Sequence, residues 1–238
     1  MGTYVLIHGA GDAGWYWHLV EAELQARGHQ TVAPDLPADD DALTLTDYRD
    51  AVVDAVRPMR SQPLIVVGQS FGAFTAPLVA ERLPATVLVF VAGMIPTIGE
   101  APDDWWEHVG FTAAVREQAS HDGGQTGSDD PFVAFYHDVP GSLAEEALRR
   151  ERAHPSPAAG ASIWPLHEWP EVVVKSVVCA QDRFLPPGLQ RRLAHDRLGV
   201  VPDEIDSAHC VALGRPTELA TLLHAYATQS IQMGPRSS

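Results

Sequence analysis

The chain has 238 residues, 45% hydrophobic and 20% charged, with 31 Asp+Glu against 16 Lys+Arg and a formal net charge of −15. This is the composition of one globular domain large enough to carry an insertion, and it excludes a disordered chain and a coiled coil. The negative surface repels phosphate, which removes nucleic acid and anionic membranes as partners. No apolar run reaches the ~18 residues that span a bilayer.

No basic region and cleavage site precede the first strand pattern, as a secretory leader would require. The two cysteines, Cys179 and Cys210, are too far apart in sequence for a redox or metal pair. The expected location is the cytoplasm.

Short apolar runs at 4–8, 31–34, 64–68, 87–92, 172–180 and 199–205 predict six strands buried on both faces. Helical patterns lie between most of them. The first, 17–27, has apolar Leu19, Val20, Ala22 and Leu24 and stops at Gly28. The second, 45–59, repeats Tyr48, Val52, Val53 and Val56, with Thr46 or Asp47 as N-cap. The third, 71–83, contains Pro77, which predicts a bend. The last is 216–228. This alternation predicts an α/β fold with a mostly parallel six-stranded sheet, right-handed crossovers and helices on both faces.

The alternation breaks over 99–170, too long for a simple connection. Helical patterns at 103–118, 130–136 and 143–152, a polar loop at 121–130 and four of the six tryptophans lie there. The reading is a helical lid (99–170) inserted into a core made of 1–98 and 171–230, followed by a flexible tail at 231–238. Trp15, Trp105, Trp106, Phe111, Phe132, Phe135 and Trp164 are candidates to line an apolar pocket beneath such a lid.

Two glycine motifs compete for the site. Gly9, Gly11 and Gly14 match G-x-G-x-x-G between a strand and a helix, and Asp35 follows at the end of the second strand, as in a dinucleotide site. Trp15, Tyr16 and Trp17 crowd the helix start where close helix–strand packing is wanted. The second motif, Gly68-Gln69-Ser70-Phe71-Gly72, is a G-x-S-x-G nucleophile elbow between a strand and a helix. Small residues on both sides of the serine let the chain fold back, and the helix start aims the Phe71 N–H at a developing oxyanion.

A serine needs a base and an orienting acid, which follow an elbow in the order acid, then histidine. Asp182 lies just after the fifth strand and His209 just after the sixth, both at the sheet edge that carries Ser70. Asp206 is a weaker alternative acid, and Asp196 falls in a helical pattern facing solvent. Gly9 and Gly11 then give the loop room to aim the Ala10 N–H as second oxyanion donor. One loop cannot serve a pyrophosphate and an oxyanion together. Asp182 and His209 decide for the hydrolase reading, and Asp35 becomes structural. The eleven histidines include no HExxH, so no metal is expected, nor any organic cofactor.

These pieces resemble the α/β-hydrolase family, in the branch of plant methylesterases, plant-type hydroxynitrile lyases and small bacterial esterases. The likeness rests on Val5-Leu6-Ile7-His8-Gly9-Ala10 with Gly14-Trp15 and Trp17, on Gly28-His29, on Ala33-Pro34-Asp35-Leu36, on 67–72, and on Asp182 through His209. It implies Ser70 as nucleophile, His209 as base, Asp182 as acid, oxyanion donors on Ala10 and Phe71, and His8 propping the oxyanion loop. Hydroxynitrile lyases of that branch carry threonine where Gly9 stands and lysine where Cys210 stands, so lyase activity is not expected. The expected substrate is a small hydrophobic ester. An NAD(P)-dependent reductase through Gly9, Gly11 and Gly14, and a non-catalytic binding protein on the same fold, are the alternatives.

Overall fold

The computed structural model describes residues 1–57, 63–152 and 155–233. Its centre is a six-stranded, all-parallel sheet of β1 (Thr3–Ile7), β2 (Gln30–Val32), β3 (Leu64–Gln69), β4 (Val87–Val91), β5 (Val173–Cys179) and β6 (Asp203–Ile205), in the order β2-β1-β3-β4-β5-β6. The register brings strand ends level: Ile7 pairs with Gly68, Gln69 with Val91, and Cys179 with Ile205. The loops after β1, β3, β5 and β6 therefore open on one edge.

Strand alternation explains the unbroken apolar runs. Val5 and Ile7 of β1 face one core while Tyr4 and Leu6 face the other, because successive side chains point to opposite faces and both faces are covered. The first face is covered by α2 (Leu45–Val56), α3 (Gly72–Arg82) and α9 (Pro187–Leu198), the second by α1 (His18–Ala26), α10 (Val211–Gly214) and α11 (Pro216–Met233). A 3-10 turn, Gly14–Trp17, leads into α1.

Several boundaries differ from the sequence reading. Helix α2 is capped by Thr44, not Thr46 or Asp47. Asp47 sits three residues inside and accepts from Thr44 N at 2.8 Å and Thr44 Oγ1 at 2.7 Å. The predicted end of that helix at 59 lies outside the described residues. Helix α3 runs through Pro77 to Arg82. The sixth strand begins at Asp203 rather than 199, because Gly199 at φ +65° is the left-handed cap of α9. Helix α11 continues to Met233, into the segment read as tail, and 234–238 lie outside the described residues.

The 99–170 insertion holds α4 (Pro102–His108), α5 (Phe111–Asp122), α6 (Pro131–Ala134), α7 (Gly141–Arg149) and α8 (Pro157–Ala161). The single helix predicted over 103–118 is two, because Gly110 at φ +66° turns the chain between them. The buried carboxylate Glu100 ties the start of the insertion to α9. Arg197 Nη1 lies 2.6 Å and His108 Nδ1 2.9 Å from its oxygens.

Candidate active site

Ser70 follows the last residue of β3 and has φ +50°, a left-handed conformation in a non-glycine residue that costs roughly 1–3 kcal/mol. The strain is held by backbone bonds to the end of β4 and the chain just after it: Ser70 N donates to Val91 O at 3.1 Å, and Met94 N donates to Ser70 O at 3.0 Å. The glycines of the elbow are steric requirements. A Cβ on Gly68 would fall 2.6 Å from Gly72 O, and one on Gly72 would fall 2.6 Å from His8 O. Helix and strand can approach this closely only without those side chains.

The loops after β5 and β6 bring Asp182 and His209 together. His209 Nδ1 lies 2.6 Å from Asp182 Oδ2, with the two side chains 4% and 0% exposed. The other carboxylate positions are also filled. Oδ1 accepts from Phe184 N at 2.9 Å and Leu185 N at 2.8 Å, and Oδ2 accepts from Gln190 Nε2 at 2.9 Å. A buried carboxylate with four donors is fixed in orientation and acts only as an acceptor, so His209 carries its proton on Nδ1 and presents a lone pair at Nε2. The rings of Phe184 and Phe135 stand edge-on to the imidazole, with centroids 5.0 Å and 5.6 Å away.

Ser70, His209, Ala10 and Phe71 line one cleft of about 600 Å³. Among the described residues, neither the Ala10 nor the Phe71 N–H has a protein acceptor, and Ser70 Oγ makes no hydrogen bond. The group within reach of His209 Nε2 is Gln69 Nε2, at 3.2 Å. His8 braces the loop after β1. Its Nε2 accepts from Leu36 N at 3.0 Å and its Nδ1 donates to Gly9 O at 2.8 Å. Burial lowers its pKa to about 4, so this imidazole is neutral at pH 7.

The other expected residues are divided by the structure. Asp206 is exposed and accepts from Gln181, and Asp196 pairs with its neighbour His195, so neither faces His209. Trp106 and Phe135 line the cleft. Trp105 and Trp164 do not. Both are buried, and each donates its indole N–H to a backbone carbonyl, of Ile95 and Phe74 respectively. Phe111 packs behind Trp106, centroids 4.8 Å apart, and Trp15 stacks on His18 beneath the guanidinium of Arg150. Phe132 is 41% exposed and outside the cleft lining. Large aromatics in an insertion serve its attachment to the core as readily as a ligand, and sequence spacing does not separate the two.

Two residues have no sequence signal of their own, Gln190 behind Asp182 and Gln69 beside His209. Both act through geometry that only the fold creates. Two of the three glycines in the dinucleotide-like motif pack against the protein itself. A Cβ on Gly9 would fall 2.4 Å from Gln69 Oε1, and one on Gly14 would fall 1.9 Å from Ala33 O. The open faces of these glycines are thus filled by protein. Asp35 accepts from Gly14 N at 2.7 Å and pairs with Arg152 at 3.3 Å. Among the described residues, no group of three or more His, Cys, Asp or Glu side chains is placed to hold a metal ion, and no helix is long and apolar enough to cross a membrane.

A strained serine at a strand–helix turn, with an acid and a histidine on later strand ends, is the arrangement of an α/β hydrolase. The alpha/beta hydrolase family model matches residues 4–222, and the chain belongs to that family. Among its relatives is Methylesterase 7 of Arabidopsis thaliana, 27% identical over 246 residues that cover 92% of this chain and 94% of that protein. Another is Norfluorocurarine synthase 1 of Strychnos nux-vomica, 25% identical over 260 residues and 96% of each. The crystal structure of polyneuridine aldehyde esterase shares the fold, with a TM-score of 0.75 at 20% identity over 95% of this chain and 99% of that one.

Proposed function

We propose that the protein is a serine carboxylic-ester hydrolase that works through an acyl-enzyme on Ser70. The observation that carries this reading is the buried Asp182–His209 pair, 2.6 Å apart, opening on the same cleft as the strained Ser70. His209 Nε2 takes the Ser70 proton as Oγ attacks the ester carbonyl carbon. The carbonyl oxygen becomes an oxyanion held by the Ala10 and Phe71 N–H groups. The carbon–oxygen bond to the alcohol breaks, and the proton on Nε2 goes to the departing alkoxide. Water then repeats the sequence on the acyl-enzyme and releases the acid. None of these steps calls for a cofactor.

The insertion supplies Pro102, Trp106, Pro131, Phe135, Tyr136 and Leu148 to the cleft, which favours a small ester with an apolar body and gives 99–170 the role of a lid. Asp103, Asp129 and Glu151 line the same space, while among the described residues no Lys or Arg does, so an anionic ester is disfavoured. Cys179 and Cys210 are buried free thiols, in keeping with a reducing cytoplasm.

The test is hydrolysis of matched p-nitrophenyl esters, one neutral and one with a terminal carboxylate, by wild type and Ser70→Ala. Saturable turnover of the neutral ester, lost in the variant and weak on the anionic ester, supports the reading. Equal turnover by the variant removes it.

A further inference from the structure

Catalysis by Ser70, His209 and Asp182 leaves Gln69 without a task, yet its position is closely defined. It ends β3 and is 1% exposed. Its Nε2 sits 3.2 Å from His209 Nε2. Its Oε1 is buried and, among the described residues, accepts no hydrogen bond. Gly9 makes the room: a Cβ there would fall 2.4 Å from that oxygen.

The protonation logic fixes what this contact is. Asp182 occupies Nδ1, so Nε2 of the neutral imidazole is a lone pair. A carboxamide N–H fits that lone pair, whereas the reversed carboxamide would set oxygen against it. The opposite imidazole tautomer would set N–H against N–H. A buried acceptor is costly to leave unpaired, and Gln69 does so while its donor end faces the base.

We infer that Gln69 is a positioning residue that holds His209 in its base-competent tautomer and gives up Nε2 to Ser70 when substrate arrives. The inference rests on the serine-hydrolase reading. In the resting site Gln69 Nε2–H faces the one lone pair that must take the Ser70 Oγ–H proton when catalysis begins. After proton transfer from Ser70, Nε2 carries the proton and faces the carboxamide N–H. That repulsion favours passing the proton on to the departing alkoxide.

The test is the rate of Ser70 modification by a fluorophosphonate, followed by mass spectrometry from pH 5 to 9, in wild type, Gln69→Leu and Gln69→Glu, with circular dichroism to verify folding. Asp182 and Cys210 face His209 from the loops after β5 and β6, and Asp138 meets the latter loop through Ala208 N. Asp12, Asp103, Asp129, Glu151 and Tyr136 face it across the cleft. All are unchanged in the variants.

Leucine fills similar space and cannot donate. Loss of one hydrogen bond to the neutral form moves the acidic limb of the profile up by about 0.7 pH unit, a roughly fivefold slower reaction below it. Glutamate, an acceptor beside the imidazolium, moves the limb up further. An unchanged or lowered limb in Gln69→Leu, with Ser70 still modified, overturns the inference. If the leucine variant fails to fold, an unchanged limb in Gln69→Glu overturns it. Absence of modification in wild type overturns the serine reading and the inference together.

Discussion

Replacing Asp182 by asparagine changes few atoms and a great deal of hydrogen-bond logic. In the native site Oδ1 serves the Phe184 and Leu185 N–H groups, while Oδ2 serves Gln190 Nε2 and His209 Nδ1. Asparagine keeps one oxygen for the two backbone donors, which places its NH2 against Gln190 and His209. An NH2 cannot accept, so it meets the Gln190 amide donor to donor. It also forces Nδ1 of His209 to become the acceptor. The imidazole proton then moves to Nε2, facing Ser70, and the base is lost although the ring stays in place. The expected loss in kcat/KM is about 10⁴-fold, about 5.5 kcal/mol of transition-state stabilisation. The assay is hydrolysis of a neutral p-nitrophenyl ester at pH 8, with circular dichroism showing a folded variant. A loss of less than tenfold would refute this account of the acid.

Three further outcomes are expected. His8 has its pKa lowered to about 4 by burial, against about 6.5 in the unfolded chain, so the unfolded state binds more protons between those values. Its contribution is therefore complete above pH 6.5 and shrinks by about 3 kcal/mol as pH falls to 4. Denaturant titrations of wild type and His8→Leu should show their difference shrinking over that window, and a constant difference contradicts the assignment. Gly68→Ala drives a Cβ to 2.6 Å from Gly72 O and 2.8 Å from Ala76 Cβ, which should cost about 1–3 kcal/mol in denaturant titration and disturb the elbow enough to slow turnover. Unchanged stability and activity would show that the elbow tolerates the methyl group. Arg197→Ala leaves Glu100, 1% exposed, with His108 and the Thr97 N–H as its remaining partners among the described residues, and should destabilise the protein by about 3–5 kcal/mol. Thermal melting of Arg197→Ala and of the double variant with Glu100→Gln checks this, since the second change should recover much of the loss.

The sheet and the placement of Ser70, Asp182 and His209 were legible because each depends on local pattern. Apolar runs buried on two faces mark the strands, and the elbow needs small residues at 68 and 72. Acid and histidine lie where strands end. The insertion was legible only as an interruption. Gly110 splits one apparent helix, and nothing in the periodicity told Trp106, which faces the cleft, from Trp105, which donates to Ile95 O in the core. Position 199 read as strand because its neighbours are apolar, although Val201 is 91% exposed. Gln69 and Gln190 carry no spacing rule. Their contacts arise where the end of β3 and helix α9 meet the loops after β5 and β6, and residue type alone does not announce a hydrogen bond across the fold.

Activation of Ser70 as a nucleophile by His209 underlies every step of the proposed reaction. Its most direct test is mass spectrometry after incubation with a fluorophosphonate, on wild type and His209→Ala. One adduct is expected, on Ser70, formed far more slowly in the variant. A folded wild-type protein that leaves Ser70 unmodified, or a variant that reacts as fast as wild type, would contradict it.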